Sequence, residues 1–203
     1  DEKYIDKKDK KNLNQLLAFK KEDILDYPVG NTPLIYSKNL NKAYDFEKVY
    51  IKDDGKNPTN SLKDRASLLV VSEALLKGEN EIVTASTGNA ASSLAGVCAY
   101  AGCKAIIFVP AKASFGKLVQ IAKYGALIIP VDGTYDDAFE LSYQYSQSTN
   151  ACNRNTAYNP MTTEGKKTVA LEIYKDLNYQ IPDTILVPVG DGSIISGVMK
   201  GFK

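Results

Sequence analysis

The amino-acid sequence predicts an α/β fold built on a parallel sheet with helices on its faces. Short β-branched runs alternate with longer helical runs, the pattern of successive strand–helix units. Three helical runs stop at Gly78, Gly102 and Gly125, each placed to take the left-handed conformation just past a last helical turn. Polar turns fall where a strand hands over to a helix, the edge at which such sheets bind ligands.

Taken in order, the polar opening carries a solvated Lys7–Lys11 cluster, and Lys8–Phe19 has the spacing of a short amphipathic helix. Ser61 is a favourable N-cap, so a helix is expected over Leu62–Lys77. Glu81–Thr84 reads as a buried strand, followed by a small-residue helix over Asn89–Ala101. Ala105–Val109 is the next strand and Ser114–Tyr124 its helix; Leu127–Val131 and Tyr135–Ser146 repeat the unit. A helix over Glu164–Leu177 precedes the apolar run Thr184–Val189, read as a last buried strand that enters a glycine turn and then a further helix. Breaks between layers fall near Leu76–Asn80 and Ser148–Asn155, with no internal repeat or low-complexity linker.

Composition narrows the chemistry. With 44% hydrophobic and 24% charged residues, the chain of 203 residues has an ordinary globular make-up. A net charge of +1 offers no footprint for nucleic acid or an anionic membrane, and no run approaches the roughly 20 apolar residues of a membrane span. There is no apolar N-terminal stretch of the signal-peptide kind. Cys98, Cys103 and Cys152 lack C-x-x-C spacing, which fits a reducing, cytoplasmic setting. The absence of histidine removes Ser-His-Asp and Cys-His nucleophilic pairs and His-ligated zinc. Proton transfer must then come from Lys, Tyr, Asp, Glu or a cofactor, and no metal is expected.

Three loops carry candidate chemistry. In Asn57–Arg65, the Asn-Pro-Thr turn and the Ser61 cap put Lys63 in a first helical turn, where the positive end of the helix dipole disfavours an ammonium. The neutral amine is the nucleophile in imine formation; a surface lysine at a helix start is the plainer alternative. In Thr84–Ser93, the Ser86 and Thr87 hydroxyls, with the N–H groups at the helix start, suit a carboxylate. Asn89 adds an amide, and a capped corner built for close packing is equally open. In Val187–Gly197, an apolar run, a glycine turn and a helix make a phosphate grip. Ile195 stands where a dinucleotide fingerprint has its third glycine, so a phosphate turn of another kind is expected.

Together the segments resemble the fold-type-II, or β-family, pyridoxal-phosphate enzymes, and within them the threonine synthase family. Gly30-Asn31-Thr32-Pro33-Leu34 resembles the opening G-N-T-P-L, Asn57–Arg65 the N-P-T-G-S-F-K-D-R segment, and Ser86–Asn89 the S-[ST]-G-N turn. Asn159-Pro160 with Glu164–Thr168 resembles N-P-x-x-x-E-G-[QK]-K-T, and Val187–Phe202 resembles the phosphate loop and its helix.

The resemblance implies two three-layer α/β domains with parallel or mixed sheets. The larger, cofactor-binding one would hold residues 1–78 and 159–203 and be incomplete; the smaller would hold 79–158. It implies that Lys63 carries pyridoxal 5′-phosphate as a Schiff base and later shuttles protons, and that Asn89 bonds the cofactor's phenolic oxygen. Gly190, Asp191, Gly192, Ser193 and Ile194 would cradle the cofactor phosphate. Ser86, Thr87, Gly88 and Asn89 would hold the substrate carboxylate, with Lys117, Asn155 and Thr156 near the rest of the substrate. The implied reaction is that of a lyase converting O-phosphohomoserine and water to threonine and phosphate. Implied partners are a small amino-acid substrate and a second copy of the chain, with no nucleic acid or membrane.

Departures from the family wording are Asn60 for Gly, Leu62 for Phe, Ser193-Ile194 for Gly-Asn, and Thr162 for a phosphate-binding Arg. The last of these, which Arg154, Lys117, Asn155 or Thr156 could offset, keeps other activities of the family open: cysteate synthase, serine or threonine dehydratase, and cysteine synthase. A non-catalytic binding protein that kept the fold is the reading from another class.

Overall fold

The structure is a computed structural model that describes residues 16–203 except Ala157, with the Lys117 side chain also outside the description. The expected helix Lys8–Phe19 lies mostly outside the described residues; of the described ones, Leu16 has 3₁₀ geometry and residues 17–19 are bends.

Four parallel strands form the central sheet: β3 (Glu81–Ala85), β4 (Lys104–Pro110), β5 (Leu127–Val131) and β6 (Cys152–Asn153), in the order β5-β4-β3-β6. A separate antiparallel pair, β1 (Leu34–Tyr36) and β2 (Tyr50–Lys52), flanks the short helix α1 (Lys38–Tyr44). The helices that follow are α2 (Lys63–Leu76), α3 (Asn89–Ala101), α4 (Phe115–Lys123), α5 (Tyr135–Ser148), α6 (Met161–Asp176) and α7 (Ser193–Phe202). The expected helices over 62–77, 89–101, 114–124 and 135–146 are present within a residue or two. Helix α6 starts earlier than expected, at Met161, because Asn159 Oδ1 accepts the Met161 N–H at 2.9 Å ahead of it. Gly78, Gly102 and Gly125 all have φ between 73° and 78°, the left-handed stop read from the sequence.

Strand alternation sorts the core onto the two faces of the sheet. Ile82, Ala105, Ile107 and Val109 point toward α2, α3 and α4, packing with Val70, Leu94 and Ile121. Val83, Ala85, Ile106 and Phe108 point to the other face, which α5 covers through Ala138 and Phe139. The result is three layers with the loops of interest at the carboxyl edge of the strands.

A third cluster lies between α6 and α7, around Val169, Ala170 and Val198. The helices approach closely because Gly197 and Gly201 face α6; a Cβ at Gly197 would stand 2.7 Å from the Lys166 Cβ, and one at Gly201 2.6 Å from the Ala170 Cβ. Gly165 of α6 is tighter still, lying directly on the α2 backbone at Arg65 and Ala66.

One expected element is corrected. Thr184–Val189 is not a strand. Its side chains do alternate, with Ile185 and Val187 packed on the α6–α7 cluster and Leu186 90% exposed. A strand, however, is defined by its ladder, and no described strand lies alongside to accept one. For the same reason no second parallel sheet forms among the described residues.

Candidate active site

The loop 57–62 is held in place before Lys63 begins α2. Asn57 Oδ1 accepts the Gly30 N–H at 2.9 Å, its Nδ2 donates to the Asp54 carbonyl at 3.0 Å, and Asp64 accepts the Thr59 N–H at 2.7 Å and also the Thr59 hydroxyl. Asn60 takes φ 62°, the left-handed region that asparagine tolerates better than most residues, so it can stand where glycine is usual. Ser61 was expected to cap α2, but the cap position falls on Leu62, which makes no side-chain capping bond; Ser61 Oγ, one residue earlier, accepts the Lys63 N–H at 3.0 Å. Behind this turn, Gly96 of α3 leaves room for the Thr59 methyl, which a Cβ would meet at 2.6 Å.

Lys63 and Asp191 line one cleft of about 600 Å³ at the carboxyl edge of the sheet. Ser86 and Asn89 form the adjoining wall, and Tyr135, Asp136 and Phe139 at the start of α5 face them with Thr156. Burial lowers the basicity of the Lys63 amine, the Arg154 guanidinium lowers it further, and Asp191 opposes both. The amine is thus less basic, the direction expected of a lysine at a helix start, with burial and Arg154 as the causes.

Other expected residues fall in different places. Thr87 and Gly88 sit at the tip of the turn, outside the cleft wall, where Ser86 Oγ accepts the Gly88 N–H at 3.1 Å. Asn155 is buried under the floor with its amide fully engaged: Oδ1 accepts from Thr84 Oγ1 and the Ala85 N–H at 3.0 and 2.8 Å, and Nδ2 donates to Ser142 at 2.8 Å. It fixes the end of β3 rather than facing the cleft. Thr156 does face the cleft, while its hydroxyl accepts from Arg154 Nη1 at 3.0 Å. The Lys117 side chain lies outside the described residues.

In the glycine turn, Gly192 adopts φ 79° and begins α7, and Asp191 Oδ1 accepts both the N–H and the hydroxyl of Ser193, at 3.0 and 2.7 Å. Ile194 packs its side chain on the α6–α7 cluster, leaving its backbone in the first turn. Thr162 is wholly buried, its hydroxyl donating to the Asn159 carbonyl at 2.8 Å. Tyr135, Asp136 and Phe139 were missed in the sequence; their one signal was position, directly after a strand at the ligand-binding edge.

The fold and cleft define an α/β protein whose strand-edge loops gather around a half-buried lysine of lowered basicity. The chain belongs to the pyridoxal-phosphate dependent enzyme family, which it matches over residues 25–203. It is 42% identical to threonine synthase of Methanocaldococcus jannaschii over 86% of this chain and 43% of that one. It is 39% identical to threonine synthase of Halalkalibacterium halodurans over 86% of this chain and 49% of that one. The structure is similar to the processed form of threonine deaminase isoform 2 from Solanum lycopersicum, with a TM-score of 0.78 and 25% identity over 94% of this chain and 52% of that one. The chain spans less than half the length of the curated relatives it matches.

The residues present fit pyridoxal phosphate. A lysine amine of reduced basicity and an amide share one cleft, a glycine turn opens onto a helix N-terminus beside them, and the buried Nη2 of Arg154 has no hydrogen-bond partner.

Proposed function

We propose that this chain forms the cofactor and substrate site of a pyridoxal-phosphate lyase of the threonine synthase kind, converting O-phosphohomoserine and water to threonine and phosphate. The observation that carries the reading is Lys63: half-buried, reduced in basicity, and in the same cleft as Asn89 and Asp191 of the glycine turn. The identity to curated threonine synthases supports the substrate class.

When bound, the cofactor supplies an electron sink for a carbanion at the substrate's α-carbon. The work left to this chain is holding, orienting and proton transfer. Lys63 would anchor the cofactor covalently and, once displaced by the substrate amine, take and return protons at the substrate carbons. Its lowered basicity keeps enough free amine for both tasks. Asn89 would bond the ring's phenolic oxygen, while Ser86 and the first N–H groups of α3 would hold the substrate carboxylate. Residues 190–194 would hold the cofactor phosphate through backbone N–H groups and the α7 N-terminus. Phe139 and Ala85 supply apolar wall that limits water.

The same reading has an amino acid as partner, a homodimer as assembly and the cytoplasm as location. Three free cysteines are consistent with the last of these. It divides the chain into a unit of residues 79–158, within which all four parallel strands fall, and a larger unit of 1–78 with 159–203. Helix α2 nevertheless covers a face of that sheet.

Borohydride reduction of the cofactor-loaded full chain, followed by peptide mapping, is expected to place the pyridoxyl label on Lys63. A label on Lys52, Lys56 or Lys117 would remove the basis of the assignment.

A further inference from the structure

Four cations are buried among the described residues: Arg65, Arg154, Lys166 and Lys167. Two of them have counter-ions. Arg65 pairs with Asp54 at 2.7 Å and Glu172 at 2.6 Å, and Lys167 pairs with Glu164 at 2.6 Å. Arg154 and Lys166 are wholly buried and, among the described residues, make no ion pair.

Their polar contacts are with hydroxyl groups. Lys166 Nζ donates to Ser193 Oγ at 2.5 Å, in the first turn of α7. Arg154 Nε donates to Ser67 Oγ at 3.2 Å and Nη1 to Thr156 Oγ1 at 3.0 Å, which leaves Nη2 as an orphan donor. The carboxylates that act on these cations through space are already engaged, Asp191 by Ser193 and Asp64 by Thr59. With Lys63, three cations lie within electrostatic reach of one another and of those two acids, Arg154 touching Thr156 of the cleft and Lys166 touching Ser193 beside Asp191. A buried charge without a partner is strongly unfavourable unless something supplies one. A dianion at the α7 N-terminus would supply it.

We propose that Lys166 and Arg154 complete a phosphate subsite at the N-terminus of α7, where a phosphate monoester is the counter-ion that both buried cations lack. Ser193 links the two parts, since its N–H belongs to the helix terminus and its hydroxyl receives the Lys166 ammonium. The proposal rests on the reading of the cleft as a pyridoxal-phosphate site and adds to it two charged side chains from outside the glycine turn. The monoester is either the cofactor's own phosphate or the phosphate of a phosphorylated amino acid. The chemistry is shared, and the sources can be separated.

The test uses the full chain and the variants Lys166→Gln and Arg154→Gln, with inorganic phosphate, pyridoxal phosphate and pyridoxal as probes. Calorimetric titration of the cofactor-free protein should show inorganic phosphate binding that falls about tenfold or more in Lys166→Gln, the usual scale for a lost charge-assisted hydrogen bond. Without ligand, Lys166→Gln should melt no lower than the parent, because it removes an unpaired buried charge; a merely structural lysine would lower the melting temperature. If the cofactor phosphate is the occupant, Lys166→Gln weakens pyridoxal phosphate and leaves pyridoxal unchanged. If a substrate phosphate is the occupant, pyridoxal phosphate binds as before and inorganic phosphate binds the cofactor-loaded variant more weakly. Phosphate affinities within about twofold of the parent in both variants, loaded and unloaded, overturn the subsite. Failure of Lys63 labelling instead overturns the cofactor reading and leaves the inorganic phosphate result standing, so the two failures are distinguishable.

Discussion

Glu172 shows how single side chains set the frame around the cleft. It accepts from Arg65 Nη1 and Nη2 at 2.6 and 2.8 Å, from the Asn31 N–H at 2.9 Å, and pairs with Lys52 at 2.9 Å. Burial alone would raise its pKa, but the Arg65 and Lys52 contacts win and hold it at about 2, against an ordinary 4.5. A depressed carboxylate contributes stability that is complete above the unfolded value and is lost as pH falls through the folded one. We therefore expect an acid-labile component between pH 4.5 and about 2 that Glu172→Gln abolishes. Urea unfolding of both proteins across that range checks it, and parallel curves would refute it. At this scale the sequence was partly legible. Lys63 stood out because a capped helix start is a poor place for an idle lysine. For Asn155 the sequence shows an amide but not the three partners that engage it. Lys166 passed unnoticed because burial of a cation is a tertiary fact.

Elements were legible where local signals agree with packing. A glycine stop, a β-branched run and a small-residue helix each specify their own geometry, so β3 to α5 match their expected ranges closely. The antiparallel pair β1–β2 and the two-residue β6 were missed because they are too short to show a period. Thr184–Val189 shows the opposite failure: its alternation is genuine, but a ladder needs a neighbour that no local pattern guarantees. The α2–α6 crossing yields a sharper prediction. Gly165 is pressed against the Arg65 carbonyl, so Gly165→Ala must push α6 away from the helix that carries Lys63. Overpacking of this kind costs about 1–3 kcal/mol, and here backbone, not a flexible side chain, must give way. A lowered melting temperature together with weakened pyridoxal phosphate binding is expected. An unchanged melt would show that the crossing is looser than the geometry indicates.

For the whole molecule, the question is what covers the apolar surface that the sheet and helices leave outside. Leu186, Ile181 and Val189 are 90%, 65% and 60% exposed along one stretch, and Ile35, Tyr36, Tyr50 and Ile51 are exposed on the β1–β2 pair. Contiguous apolar patches of more than a few hundred Å² are rare on soluble monomers and mark surfaces that something else covers. The backbone of residues 184–189 adds to this, since its N–H and C=O groups have no ladder and offer an edge for pairing. Residues 1–203 expressed alone are therefore expected to self-associate with rising concentration and to bind an apolar dye. Sedimentation velocity over a concentration series measures the first, and dye fluorescence the second. Leu186→Lys should reduce both without lowering the melting temperature, because the side chain it replaces packs on almost nothing. A monodisperse monomer with no dye signal at every concentration would mean that these side chains find cover within the chain itself, and the expected association would have to be given up.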